Sequence, residues 1–215
     1  MANKNENKST ILKDALSLTF ITIICSFALA FVYEITKAPI AAQEDAKKNA
    51  GYKVVYKDAK ELSTHEELVK LAAETDISSL DASYAGVTIE DVVRALDENK
   101  NPIGYIITSR TRGYASTIKV AVGYSLDGVV QGMELLEIAD SPGYGANANT
   151  PEFKDKFAGV KTDQFIVTKG GAKEDNEIDV VSSSTTTTEA VVRAVNGGLG
   201  FLLEYAEGLG GASNE

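Results

Sequence analysis

The sequence is poor in the residues that build most metal and nucleophilic sites. Its 215 residues contain one cysteine, Cys25, and one histidine, His65. A single cysteine excludes a disulfide framework and a cysteine-ligated iron–sulfur cluster within this chain. A single histidine disfavours His-based triads and clustered His metal sites, and His65 is predicted to be a solvent-exposed residue at a helix start. Neither G-x-G-x-x-G nor G-x-x-x-x-G-K-[ST] occurs, so Rossmann and P-loop nucleotide binding have no support.

Positive charge is also scarce. With 21 Lys and Arg against 31 Asp and Glu, the formal net charge is −10. This balance argues against a nucleic-acid partner, which requires a basic surface. It argues equally against a domain that lies on an anionic membrane surface. The length is sufficient for one domain with a sizeable core and an appendage.

The appendage is a long apolar segment near the start of the chain. Residues 15–33 carry no charge and as a helix span about 28 Å, which is enough to cross a bilayer core. A cleaved signal peptide is the alternative, because lysines precede the segment and Ala28-Leu29-Ala30 is a small-x-small site. The apolar run continues past that site to Tyr33, which favours an uncleaved anchor.

Orientation follows from the sizes of the flanking parts, because lysines on both sides leave the positive-inside count undecided. A short tail before the helix and a large domain after it favour a cytoplasmic N-terminus. The predicted organisation is a cytoplasmic tail (1–14), a transmembrane helix (15–35), a stalk (36–50), a domain (51–206) and a flexible tail (207–215).

The periodicity of the domain predicts an α+β fold. Leu62, Leu68, Leu71 and Ala72 have near-helical spacing and predict a helix within 57–80, capped by Ser63 or Thr64. The pattern then alternates with period two, which predicts an antiparallel meander. Its strands are expected at 91–96, 102–108, 117–124 and 129–138. A further strand is predicted at 164–168, before an acidic loop at 173–177.

The most distinctive stretch is DVVSSSTTTTEAVVRAVN, from Asp179 to Asn196. Thr186 and Glu189 have the spacing of a capping box, so Thr186 is the predicted N-cap and Thr185 the residue just outside the helix. An anion carried on Thr185 would face unpaired N–H groups at the positive end of the helix. Taken alone, however, a Ser/Thr run is more commonly a linker or a cap.

A second stretch, DSPGYGANANTPEFKDKF, runs from Asp140 to Phe157. By itself SPGYG is an ordinary turn, in which proline fixes φ and glycine supplies positive φ. It gains meaning from its position about forty residues before the hydroxyl run.

Together the two stretches resemble the FMN-binding domain of the G subunit of Rnf-type electron-transport complexes, also found in the C subunit of sodium-pumping quinone reductases. The family motifs read approximately D-[AI]-[IV]-S-G-A-T-x-[ST] and E-T-P-G-L-G-x-x-x-x-x-P-E-F-x-x-x-F. The alignment places Thr185 on the threonine that carries FMN through its phosphate, with Thr186 as the alternative if the register is slipped. Ser183 and Ser184 depart from the usual Gly and Ala, and Asn147 stands where many relatives carry Lys.

The resemblance implies an antiparallel-sheet FMN-binding domain with the flavin between the turn and the helix start. Gly113-Tyr114 is either a plain turn or a site element, and Tyr114 and Tyr144 are the aromatic candidates for the flavin ring. The expected cofactor-binding residues are Thr185 as the covalent site, Ser182, Ser184, Thr186, Thr187, Asp140, Ser141, Pro142, Gly143, Tyr144, Gly145 and Tyr114.

The implied function is electron transfer among membrane and iron–sulfur subunits of a ferredoxin:NAD oxidoreductase that moves Na⁺ or H⁺. Attachment is expected to need a separate flavin transferase that uses FAD and magnesium. Two alternatives stay open. One is the C subunit of the quinone reductase, which is usually longer. The other is an anchored extracytoplasmic binding or assembly protein that holds no flavin.

Overall fold

A computed structural model describes residues 4–138, 148–180 and 184–206. The chain forms two compact units, 1–47 and 48–215. Helix α1 (Lys4–Val55) begins in the first unit and ends in the second, with Pro39 inside it. Its most apolar window has a mean hydropathy of 2.4, so α1 is long and apolar enough to cross a membrane. The predicted stalk is thus the continuation of the same helix.

The second unit is built on a six-stranded antiparallel sheet with strand order β1 to β6. The strands are β1 (Glu61–Thr64), β2 (Thr88–Leu96), β3 (Pro102–Arg112), β4 (Thr117–Ser125), β5 (Val129–Ile138) and β6 (Val160–Lys161). Helices α2 (Glu66–Glu74), α3 (Pro151–Lys154) and α4 (Thr185–Tyr205) flank it. Two short parallel strands, β7 (Ile166–Thr168) and β8 (Glu177–Asp179), form a separate sheet. The predicted α+β architecture is therefore confirmed.

The region before the meander differs from the prediction. Leu62 lies in β1, where Glu61 pairs with Leu96 of β2, and α2 begins only at Glu66. The N-cap is His65, so the prediction of Ser63 or Thr64 was wrong. Strand pairing supplies backbone hydrogen bonds that the local helical spacing could not anticipate.

His65 is also not the exposed residue that the sequence predicted. It is 9% exposed, and Nη2 of Arg94 lies 2.6 Å from its Nε2. Its ring stacks on Tyr105 at 6.4 Å between centroids. The polar neighbourhood STHEE suggested exposure, whereas pairing of β1 with β2 brings His65 against the sheet.

The sheet has a core on each face, because neighbouring side chains of a strand point to opposite sides. Ile107 of β3 belongs to the large core beneath α4, with Leu199 and Leu202. Ile106 belongs to a smaller core on the other face, with Tyr52 and Val55 from the last turns of α1. Burial of such side chains contributes about 1.5–3 kcal/mol each.

Glycines let the end of α1 approach the sheet closely. A Cβ on Gly123 would lie 2.5 Å from the carbonyl oxygen of Val55, and one on Gly132 would lie 3.3 Å from its Cα. A Cβ on Gly104 would lie 2.7 Å from the hydroxyl oxygen of Tyr56. Because Gly123 and Gly132 have no side chains, the backbone of the sheet packs directly against the backbone of α1 at Val55.

Candidate functional site

The hydroxyl run enters α4 two residues earlier than the capping-box spacing predicted. Ser184 is the N-cap, and its carbonyl oxygen accepts both the N–H (2.9 Å) and the hydroxyl (3.0 Å) of Thr188. The prediction of Thr186 as N-cap was therefore wrong. Thr185 and Thr186 both lie in the first turn, and Glu189 is one turn further along.

The four threonines divide by exposure. Thr187 and Thr188 are buried, at 1% and 0% exposed, and face the core. Thr185 is partly buried and Thr186 is exposed. Among the predicted attachment positions, both Thr185 and Thr186 therefore have reachable hydroxyls, whereas Thr187 is covered.

Ser184 has an unusual environment for a helix cap. A cap serine normally accepts a hydrogen bond from an N–H of the first turn, but Ser184 makes no such side-chain bond. The residue is 5% exposed, and its Oγ has no hydrogen-bond partner among the described residues. A buried hydroxyl without a partner costs about 1–3 kcal/mol. This donor lies next to Thr185 and is free to bind an oxyanion.

The start of α4 also suits an anion electrostatically. The first N–H groups of a helix have no partner within it, and the helix dipole adds positive potential there. No acidic residue lies in the first turn of α4. An anion at Thr185 would therefore meet donors and positive potential without a competing carboxylate in that turn.

The packing of α4 on β3 shows which end of the domain the helix start occupies. A Cβ on Gly198 would lie 2.6 Å from Oγ of Ser109, and two residues along β3 Arg193 Nη2 donates to the Thr111 hydroxyl at 3.3 Å. Going toward its N-terminus, α4 thus runs toward the end of β3. The β3–β4 connection follows there and carries Tyr114, which is 72% exposed.

Asp179 fixes the strand that precedes the hydroxyl run. Its carboxylate accepts hydrogen bonds of 2.9 Å from the N–H groups of Ala172 and Gly171 and from the hydroxyl of Thr168. These bonds, with that of Ala172 the largest contribution, lower the pKa of Asp179. The first residue of the motif therefore has a structural task, which is to close the loop between β7 and β8.

The second motif contributes core residues where it is described. Phe153 and Phe157 are 2% and 0% exposed, and their rings lie 5.5 Å apart. Phe157 also contacts Phe165 at 4.8 Å. These matches to the motif anchor α3 on the sheet.

The remaining predicted site residues lie outside the described part of the chain. They are Ser182, Asp140, Ser141, Pro142, Gly143, Tyr144 and Gly145. Ser183 and Asn147 lie there too.

Sequence reasoning did not single out Arg193 and Tyr84, which line a cavity beside α4. No motif marks either residue, since Arg193 occupies an ordinary helix position and Tyr84 lies in the short 3-10 turn Ala82–Tyr84. Their surroundings arise from tertiary packing: Arg193 on α4 donates to the Thr111 hydroxyl of β3, and a Cβ on Gly200 of α4 would lie 2.8 Å from the Tyr84 ring.

Comparison with known families gives two matches that do not overlap. Residues 113–200 match the FMN-binding domain, and residues 1–55 match the RnfG N-terminal region. Together they cover well over half of the chain. The first match includes the β3–β4 connection, the SPGYG sequence and the first turns of α4.

Relatives of similar sequence carry matching names. The G subunit of the Na(+)-translocating ferredoxin:NAD(+) oxidoreductase complex of Acetobacterium woodii is 38% identical over 101 residues, which are 46% of this chain and 48% of that protein. The aligned part is thus about half of that relative. The proton-translocating counterpart of Clostridium ljungdahlii is 26% identical, over 89% of this chain and 91% of the relative. The G subunit of the ion-translocating oxidoreductase complex of Methanosarcina acetivorans is 23% identical, over 89% and 94%.

Two solved structures are similar in part. NqrC of Shewanella oneidensis has a TM-score of 0.46 at 18% identity and covers 69% of this chain and 70% of its own. The C subunit of the Na(+)-translocating NADH-quinone reductase of Parabacteroides distasonis also has a TM-score of 0.46, at 19% identity, over 68% and 77%.

Proposed function

We propose that this chain, which belongs to the RnfG family and carries an FMN-binding domain, is a membrane-anchored flavoprotein with FMN joined covalently to Thr185. The linkage is a phosphoester between the threonine hydroxyl and the phosphate of FMN. In this role the chain is an electron-transfer subunit of an ion-translocating ferredoxin:NAD⁺ oxidoreductase and is not catalytic alone. The observation that carries the proposal is a reachable threonine at the start of α4, inside the FMN-binding domain.

Thr185 is the preferred attachment residue for two reasons. Its hydroxyl is partly buried, so the first turn of α4 can enclose a phosphate there, whereas Thr186 is exposed. It also adjoins Ser184, whose buried hydroxyl has no partner among the described residues. Thr186 is the alternative, and Thr187 is disfavoured as the attachment residue because it is 1% exposed.

The residues around the helix start fit a phosphate. The Ser184 hydroxyl and the first-turn N–H groups donate hydrogen bonds, and the helix dipole stabilises the negative charge. The proposed binding region is completed by Ser182, Thr186 and Thr187, by the residues of the second motif, Asp140, Ser141, Pro142, Gly143, Tyr144 and Gly145, and by Tyr114 near the end of β3. FMN supplies the capacity to accept and release electrons, and the protein holds it in place.

The partners follow from the family. The chain works with the other membrane and iron–sulfur subunits of the Rnf complex and is matured by a flavin transferase. Helix α1 anchors it as a single-pass protein, with residues 1–14 in the cytoplasm and the FMN-binding domain (51–206) outside. Covalent attachment suits that side of the membrane, where a dissociated FMN is not readily replaced.

The match of residues 1–55 to the RnfG N-terminal region favours the G subunit over its counterpart in the quinone reductase. An anchored binding or assembly protein without flavin is the remaining alternative, and flavin content separates it from both.

The test is flavin fluorescence of the denatured chain in a gel. The full-length chain is expressed with and without a flavin transferase, beside the variants Thr185→Val and Thr186→Val. We expect a fluorescent band only with the transferase, lost in Thr185→Val and kept in Thr186→Val. Loss only in Thr186→Val would move the attachment site by one residue. No fluorescence in any sample would favour the protein without flavin.

A further inference from the structure

A histidine and an arginine meet where β1 passes into α2. Nη2 of Arg94 lies 2.6 Å from Nε2 of His65, and the His65 ring stacks on that of Tyr105 with 26° between the ring planes. Arg94 is the central member of this group, because it pairs with Ser63 of β1 on one side and with Tyr105 of β3 on the other. The register of three strands therefore brings the guanidinium to the imidazole.

This contact requires a neutral imidazole. A guanidinium only donates hydrogen bonds, so Nε2 of His65 accepts and the ring proton lies on Nδ1. A proton added to Nε2 would remove the acceptor and place a second cation against Arg94. No carboxylate of the described residues lies within 4 Å of the Arg94 guanidinium to offset that charge.

The surroundings of His65 on α2 and β3 also bear on its charge. His65 is the N-cap of α2, where the helix dipole disfavours a cation. The first turn carries Glu66 and Glu67, which favour a cation, but both are exposed and water screens them. The facing group on β3 is Tyr105, a buried phenol that carries no charge at neutral pH. The helix start and the guanidinium thus oppose two exposed acids.

The acids of β1 and β2 are engaged elsewhere. Glu61 of β1 lies 3.7 Å from a lysine of the β2–β3 turn. Glu90 and Asp91 of β2 form ion pairs with basic residues of other elements. The charged group that β2 presents to His65 is therefore Arg94, and a proton on His65 is unfavourable while this arrangement holds.

The backbone of His65 links the contact to the docking of α2. Its N–H donates to the carbonyl of Val92 on β2 at 2.8 Å, and its carbonyl accepts the N–H of Val69 at 3.0 Å. The apolar contribution to docking is small, because the buried side chains of α2 are Leu68 and Ala72. A charge at His65 therefore acts at the point where a short helix is attached to the sheet.

We propose that the contact between His65 and Arg94 is an acid-sensitive switch that controls the docking of α2. With His65 neutral, Arg94 donates to it and α2 lies on the sheet. When Nε2 takes up a proton from solvent, the hydrogen bond is lost, two cations face each other, and α2 leaves the sheet while β2 to β5 stay paired. Docking is thus present above the pH at which His65 is protonated and is lost as the pH falls through it.

The switch does not depend on FMN. In the proposed location outside the cytoplasm, it would respond to the pH on that side of the membrane. His65 is the only histidine of the chain, so no other imidazole can account for a response in the range of about pH 5 to 8, where histidine ordinarily changes charge.

Hydrogen exchange followed by mass spectrometry tests the switch on the full-length chain in detergent. Exchange is measured at several values between about pH 8 and pH 5, and each rate is divided by the intrinsic rate at that pH. The amides of α2 report on docking, because a helix of nine residues does not persist in water on its own. The amides of β3 and β4 report on the integrity of the sheet.

Two variants test the contact from its two sides, so one well-folded variant is sufficient. His65→Gln keeps an acceptor for Arg94 but does not titrate, and Arg94→Gln removes the cation. Arg110→Gln is the matched control, because Arg110 also lies on the sheet but is bonded to Glu90 at 3.2 Å.

We expect the protection of the α2 amides in the unsubstituted chain to fall several-fold from the neutral to the acid end of the range, with β3 and β4 unchanged. In His65→Gln the protection should stay at its neutral value throughout. In Arg94→Gln the fall should be smaller, because a charged His65 then meets no cation. Arg110→Gln should follow the unsubstituted chain.

Constant protection of α2 across this range in the unsubstituted chain would overturn the inference, as would an equal fall in His65→Gln or in Arg94→Gln. A fall shared by β3 and β4 would overturn it too, because acid would then unfold the domain as a whole. These outcomes are independent of FMN attachment, which flavin fluorescence tests separately.

Discussion

The hydroxyl of Tyr52 donates a hydrogen bond of 2.9 Å to Oδ2 of Asp91 and so joins the last turns of α1 to β2. The same hydroxyl lies 2.8 Å from the hydroxyl oxygen of Thr108 on β3, and Lys48 forms an ion pair with Asp91. Burial raises the pKa of Tyr52, so its hydroxyl keeps its proton throughout the physiological range. A buried polar cluster therefore fixes the end of α1 on the sheet.

Removal of this hydroxyl should destabilise the domain. In Tyr52→Phe, Asp91 and Thr108 lose a buried partner, which costs about 1–3 kcal/mol. Urea unfolding in detergent, followed by circular dichroism, measures the loss. Tyr33→Phe is the control, because Tyr33 is 62% exposed on α1. Equal midpoints for the two variants would show that the cluster contributes nothing to stability.

The glycine contact beneath α1 gives a second stability prediction. A Cβ on Gly123 would lie 2.5 Å from the carbonyl oxygen and 3.1 Å from the carbonyl carbon of Val55, and backbone cannot move aside cheaply. Gly123→Ala should therefore lower the free energy of unfolding by about 1–3 kcal/mol, as overpacking does. Gly170→Ala is the matched control, since a Cβ there meets nothing within 4 Å. A neutral Gly123→Ala would mean that α1 does not approach the sheet so closely.

The lowered pKa of Asp179 predicts a local dependence on pH. A carboxylate whose folded pKa lies below its unfolded value stabilises the fold above the unfolded pKa, about 3.9 for Asp, and loses this contribution as pH falls through the folded value. Protection of the Gly171 and Ala172 amides against hydrogen exchange should therefore fall in that acid window.

Asp179→Asn should lower the protection of both amides at neutral pH, because the anionic acceptor is removed. Asp175→Asn is the control, since its carboxylate accepts no hydrogen bond from the described residues. Retained protection in Asp179→Asn would contradict the assignment of this loop to Asp179.

Replacement of Ser184, the N-cap of α4, by alanine should not destabilise the domain, although most N-cap replacements do. Replacing a cap serine by alanine usually costs about 1 kcal/mol, but Ser184 makes no side-chain cap bond that could be lost. Ser184→Ala in the chain without FMN should therefore unfold at the same urea concentration as the parent, or slightly higher. A clear loss of stability would show that the hydroxyl has a partner.

Much of this fold could be predicted from local patterns. The period-two alternation predicts a strand at 129–138, and β5 has these bounds. The prediction succeeds because the meander is made of neighbouring hairpins whose sequence signals are local. Helix α2 was placed too broadly, because β1 exists only through its pairing with β2. The start of α4 was placed two residues late for a related reason: the capping-box spacing was present, but Ser184 supplies the first carbonyl of the helix.

The candidate site likewise combines a feature that a local pattern predicts with features that depend on tertiary packing. Motif spacing, which is a local property, predicts a site threonine at the helix start. Tyr84 and Phe165 come from segments about eighty residues apart in the chain and line one cavity beside α4, so no spacing rule could pair them. Arg193 resembles any basic residue on a helix, because its lack of an acidic partner among the described residues depends on how the domain packs.

The central claim, covalent FMN on Thr185, is tested most directly by the intact mass of the chain expressed with a flavin transferase, followed by fragmentation of the peptide 178–193. The account predicts a mass gain of one FMN less water, localised to Thr185 and absent from Thr185→Val. A chain of unmodified mass, produced beside a related protein that the same transferase does load, would contradict it.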